Sequence, residues 1–155
     1  MTHRDHCPSM AFRNQVVSEA RKWIGTPYRH QATLRGSGCD CLGLIRGIWR
    51  EIVGPEPRYI PPYSMDWSEP SGEEVLFSVA KEILKSRPKK TFELGDVLLF
   101  RMRDGSVAKH LGIVSVDGRS PKFIHAYTGY GVVENSLSTP WIKRIAAVFS
   151  FPEEV

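Results

Sequence analysis

The sequence contains no apolar run long enough to span a bilayer, and its opening, MTHRDHCPSM, carries charges with no apolar segment behind them. The first absence excludes a membrane-spanning helix, and the second excludes a secretory signal or N-terminal anchor of the usual kind. A soluble product made in the cytoplasm is the expectation. Cysteine is scarce. Cys7, Cys39 and Cys41 make an odd number, which argues against a closed disulfide framework and for free thiols in a reducing compartment. The 21 Lys and Arg residues do not gather into one long run. The net charge of +4 suits an anionic partner, but no nucleic-acid-binding motif accompanies it. Internal repeats and low-complexity tracts are also missing, so solenoid and disordered classes drop out.

What is present is an ordinary globular composition. With 41% hydrophobic and 25% charged residues over 155 positions, the chain suffices for one domain with a real core. Residues 1–10 read as a flexible N-terminus and residues 11–155 as a single domain. Phe12, Val16, Ala20, Trp23 and Ile24 recur at helical spacing, with Ser9 as a cap and Gly25 and Pro27 as the stop. Residues 26–38 have no period and read as a loop. A second, mostly buried helix starts at Cys41 and closes at Gly54 and Pro55. The segment PEPRYIPPYSMDW, with four prolines in thirteen residues, reads as an extended surface arm. Ser71 and Glu74 form a capping box ahead of a third helix through Leu84. Beyond Pro88 the period changes to that of strands, in GDVLLFRM, VAKHLGIVSV, KFIHAYT, GVVENSL and RIAAVFSF. Helices first and an antiparallel sheet second is the α+β order.

Chemistry concentrates in GSGCDCLGLIRGIW. Asp40 precedes the helix and suits an N-cap, which puts Cys41 in the first turn. There the free amides and helix dipole favour a thiolate and depress the thiol pKa. Cys39 lies ahead of the cap, outside that field. A nucleophilic thiol needs a base, and the chain has five histidines. His3 and His6 lie at the start and His30 in the loop. His110 and His125 each interrupt an apolar strand, where neighbouring strands would bring both rings to one face. One then accepts the Cys41 proton and the other orients it, a Cys-His-His triad that requires no metal or cofactor.

Taken in order, WIGTPYR, GCDCLGLIRGIWRE, GDVLLF, KHLGIV and FIHA resemble the NlpC-type bacterial cell-wall cysteine peptidases, papain-like enzymes, and within them the phage-tail and gene-transfer-agent branch. The resemblance runs from about Val17 to Pro152. It implies a papain-like fold, Cys41 as nucleophile, His110 as base and His125 as the orienting residue. Tyr28 and Asp40 are implied on the substrate-binding side. The implied reaction is hydrolysis of peptidoglycan stem peptides, at a γ-D-glutamyl to diaminopimelate bond, by a tail or baseplate component delivered to the wall in a phage-like particle. The sequence departs from many relatives at Leu42, where they carry Ser, and in RHQATLRGSG, where they carry a Trp-Gly-Gly turn.

Plainer readings stand beside these. Cys41 and His125 suit core positions, Tyr28 suits packing, and Asp40 suits a cap alone. Cys39 with Cys41 lacks a second ligand pair for zinc, whereas His3, His6 and Cys7 form a possible metal cluster at a frayed end. A tail protein with this fold and little turnover, or a papain-like amidase or acyltransferase on another substrate, uses the same chain chemistry.

Overall fold

The computed structural model describes residues 7–89 and 91–153. Three helices, α1 (Met10–Lys22), α2 (Cys41–Ile52) and α3 (Val75–Ile83), come before most of the sheet. A two-stranded hairpin, β1 (Thr33–Leu34) with β2 (Gly38–Cys39), sits between the first two. The main sheet is built from β3 (Lys85–Arg87), β4 (Val97–Arg101), β5 (Ala108–Val116), β6 (Lys122–Tyr127), β7 (Gly131–Ser136) and β8 (Ile145–Ser150). Its strands run antiparallel in the order β3-β8-β4-β5-β6-β7, with a short helix α4 (Thr139–Lys143) between the last two in sequence. This is the α+β arrangement expected from the change of period at Pro88.

Each face of the sheet buries its own apolar set, because alternate residues of a strand point to opposite sides. Val97, Leu99, Leu111, Ile113, Ile124 and Ala126 pack with the helices. Leu98, Phe100, Val114, Phe123 and Val148 form a second cluster with Trp141 of α4. Helix α2 contributes more to the first cluster than α1 or α3: Leu42, Leu44, Ile45, Ile48 and Trp49 are all buried. Each such side chain removed from water contributes about 1.5–3 kcal/mol. Arg13 of α1 reaches the turn before β4, where its guanidinium donates to Asp96 (2.7 Å) and to the Leu94 carbonyl (2.8 Å).

Gly47 of α2 lies directly against Trp23, the residue that ends α1. A Cβ there would stand 2.1 Å from Cζ2 of the buried Trp23 ring. Gly47→Ala is therefore expected to destabilise the fold by about 1–3 kcal/mol through overpacking. Urea denaturation checks this, and an unchanged midpoint would refute the close contact.

Several local expectations are corrected. Ser71 is not the cap of the third helix: residues 69–71 form a single 3-10 turn, and α3 begins at Val75 with no side-chain cap. The Glu74 carboxylate is drawn off by Arg101 and by the Ala108 amide (3.1 Å), so it holds the start of β5 instead of closing a capping box. The loop 26–38 is not wholly irregular: it holds β1 and the first residue of β2, whose hairpin closes at Cys39. β3 and α4 both fall in stretches read as turn or helix end. The proline-rich arm lacks regular structure, yet its last residue, Trp67, is buried.

Candidate active site

Cys41 is the first residue of α2, and Asp40 caps it by accepting from the Gly43 amide at 2.7 Å. The second Asp40 oxygen accepts from the Gln31 amide (2.7 Å) and from the Tyr63 hydroxyl. The carboxylate is thus consumed by structure: it closes the helix start, pins the loop before it and captures the proline-rich arm. Tyr63 stacks on Trp67 with ring centroids 4.0 Å apart. This is how a segment unable to form helix or strand acquires a fixed place. Tyr28 lies beside the β2 strand through a parallel bridge to Cys39 and is half-buried.

The Cys41 sulfur lies against the backbone of β5. It is 4.0 Å from the Lys109 carbonyl oxygen and is also hydrogen-bonded by the Leu111 backbone, so it meets the residues on either side of His110. Cys41 and His110 line the same cleft, about 230 Å³ in volume, together with Tyr28, Asp40, Trp67 and Tyr127. A larger cavity of about 810 Å³ lies between the arm and α3, and only Trp67 of the cleft's walls is shared with it. It holds no thiol or imidazole.

His110 and His125 come together as neighbouring strands allow: His110 Nε2 and His125 Nδ1 are 2.7 Å apart. Trp141 flanks both rings, at centroid distances of 5.9 and 5.4 Å. His125 Nε2 in turn meets Asn135 Oδ1 at 2.7 Å. Asn135, Trp141, Tyr63 and Trp67 were not singled out from the sequence. Counting back from the TGYG turn would have found Asn135, since Tyr127 pairs with Gly131 and His125 with Val133, which leaves Asn135 diagonal to His125 on the same face. The other three carry no local signal.

Electrostatics correct one expectation. Burial pushes the Cys41 thiol up to about 12, and the Asp40 carboxylate adds to the rise; hydrogen bonds from the Leu111 and Leu42 backbone only partly oppose it. Burial likewise lowers His110 to about 3, assisted by the neighbouring His125. The helix start does not outweigh desolvation in this closed cleft, and the resting pair is neutral thiol and neutral imidazole. Burial also pushes Cys39 up to about 12, and the three cysteines are free.

A linkage effect follows. An imidazole lowered from 6.5 to about 3 on folding binds its proton more readily in the unfolded chain. Its contribution to stability is complete above 6.5 and is lost as pH falls toward 3. His110→Gln is expected to flatten the fall in Tm between those pH values relative to wild type. Parallel Tm curves for the two proteins would contradict it.

Among the described residues, no group of three or more His, Cys, Asp or Glu gathers as a metal site. His3 and His6 lie outside the described residues, while Cys7 is exposed beside Arg87. Nor is any helix among them long and apolar enough to cross a membrane.

A cysteine at the start of a buried helix, set against an antiparallel sheet that carries a histidine pair, defines a papain-like α+β domain. Residues 25–150 match the NlpC/P60 family model, and the chain belongs to that family. It is 26% identical over 132 residues to the murein DD-endopeptidase MepS/murein LD-carboxypeptidase of Escherichia coli, covering 85% of this chain and 58% of that protein. It is 27% identical to the gamma-DL-glutamyl hydrolase of Bacillus subtilis, covering 88% of this chain and 29% of that one. The chain thus spans little more than half of the first relative and under a third of the second. Among solved structures, the NlpC/p60 domain of the peptidoglycan hydrolase SagA superposes with a TM-score of 0.55 at 26% identity, over 90% of this chain and 98% of that domain. A Staphylococcus aureus protein of the NLP/P60 family gives 0.60 at 18% identity, over 97% and 44% of the two chains.

Proposed function

We propose that this protein is a cysteine peptidase that hydrolyses the peptide stems of peptidoglycan at a γ-D-glutamyl to diaminopimelate bond. One observation carries the reading: a helix-start thiol and an imidazole bonded to a second imidazole share one cleft. The relatives support the substrate class, since they are a murein endopeptidase and a gamma-DL-glutamyl hydrolase.

In this reading Cys41 is the nucleophile and His110 the base. As Sγ attacks the carbonyl carbon, its proton passes to His110 and the carbonyl π electrons move onto oxygen. The Cys41 backbone amide, at the helix start, supplies a donor for that oxyanion. Collapse expels the amine, which takes the proton from His110 and leaves a thioester on Sγ. Water attacks the thioester with His110 again as base, releasing the carboxylate and restoring the thiol. His125 holds His110 and does not itself meet substrate. Tyr28 lines the substrate side of the cleft, and Asp40 acts there indirectly, through the placement of Tyr63 and the helix start.

The setting is a phage-like tail or baseplate acting at the cell wall, a reading supported by the motif resemblance to that branch. Detection of the protein in purified particles tests it. Digestion of purified peptidoglycan, with mass analysis of the fragments, tests the reaction: a new terminus at the γ-D-glutamyl residue is the expected product, and intact stems would overturn it. The burial of Cys41, only 4% exposed, favours one second reading, a structural protein of the same fold with little turnover. Failure of a small thiol-directed electrophile such as chloroacetamide to label Cys41 would decide for it.

A further inference from the structure

The imidazole pair does not end at His125. Its Nε2 faces Asn135 Oδ1, and while His125 is fully buried, Asn135 stands exposed on the edge strand β7. A carbonyl oxygen only accepts, so Nε2 of His125 bears the hydrogen and its Nδ1 the lone pair. That Nδ1 therefore accepts from His110 Nε2, 2.7 Å away. A neutral His110 with its hydrogen on Nε2 keeps its lone pair on Nδ1, the nitrogen the relay leaves unused. Turning the Asn135 amide over reverses every hydrogen along the chain. It would put a hydrogen on His110 Nδ1, where no proton can then be taken from a thiol.

We infer that Asn135 is a positioning residue whose side-chain oxygen selects the tautomers of both histidines and thereby leaves His110 Nδ1 free as the base toward Cys41. The inference rests on the reading of Cys41 and His110 as nucleophile and base. Its geometry is independent of what the substrate is, because hairpin register alone delivers Asn135 to His125. Metal-bound imidazoles oriented by an outer partner lose about 10–100-fold in activity when that partner is removed, and a loss of similar size is expected for an imidazole base held in the same manner.

The test compares wild type, Asn135→Ala and Asn135→Asp by three measurements: the ¹⁵N chemical shifts of the two imidazole rings, the rate of Cys41 labelling by chloroacetamide against pH, and Tm. In wild type, both rings are expected to carry hydrogen on Nε2. Asn135→Ala should produce mixed tautomers and slow labelling by about 10-fold or more, with Tm nearly unchanged because the replaced side chain is exposed. Asn135→Asp keeps an acceptor in place, so it should restore the Nε2 tautomers and most of the labelling rate. Its added negative charge stabilises imidazolium, so the acid limb of the labelling profile should move to higher pH.

Wild-type tautomers and labelling in Asn135→Ala would overturn the inference. So would a well-folded Asn135→Asp that labels no better than the alanine variant. If wild-type protein fails to label at all, the peptidase reading is what fails. The ring nitrogens still decide the role of Asn135 in that case: a wild-type His125 with hydrogen on Nδ1 would overturn it.

Discussion

Cys41→Ala is expected to abolish peptidoglycan hydrolysis and covalent labelling together, lowering turnover by about 10⁴-fold or more, as loss of a nucleophile does in enzymes that form acyl intermediates. The fold should survive, since a small buried side chain gives way to one slightly smaller. The neighbouring cysteine separates this from any shared role. Cys39 is fully buried in the core and pairs through its backbone with Thr33 and Tyr28. Cys39→Ser introduces a hydroxyl there at a cost of about 1–3 kcal/mol. That protein should melt earlier but still label at Cys41 when folded. Turnover lost equally in Cys39→Ser and Cys41→Ala, at a temperature where both are folded, would sink the single-nucleophile reading.

The second large effect belongs to the histidines. His110→Ala should remove nearly all activity, about 10³-fold or more: of the two imidazoles that line the cleft with Cys41, His30 is engaged by the Tyr63 carbonyl (2.8 Å), and only His110 is held by a second imidazole. His125→Ala should cost about 10–100-fold, since it loses only the bond that holds and polarises His110. His125→Asn or His125→Gln, each able to keep one acceptor near His110, should retain more activity than the alanine variant. Measured kcat/KM for the four proteins gives the order. A greater loss from His125 than from His110 would exchange their roles.

Legibility differed between elements for physical reasons. Helix α2 was readable because its apolar period, its Asp cap and its Gly-Pro stop all act within a few residues. The β6–β7 hairpin was readable because a tight turn fixes its register. The capping box at Ser71 failed because Glu74 had a better partner far along the chain, Arg101, which no local rule takes into account. The proline-rich arm was correctly read as irregular, but its burial of Trp67 depends on Asp40 capturing Tyr63, a contact spanning 23 residues.

The site divides along the same line. Sequence alone determined that a thiol would stand at a helix start, that two imidazoles would interrupt neighbouring strands, and that an α+β domain would carry them, because periodicity, capping and turn chemistry are short-range. Only the tertiary structure decided the charge state of the pair, since desolvation depends on everything packed around Cys41 and His110, and it overrode the helix-start effect. It alone placed Trp141 beside the two rings, because no short-range signal fixes where α4 packs; Asn135, by contrast, lies within reach of the hairpin register.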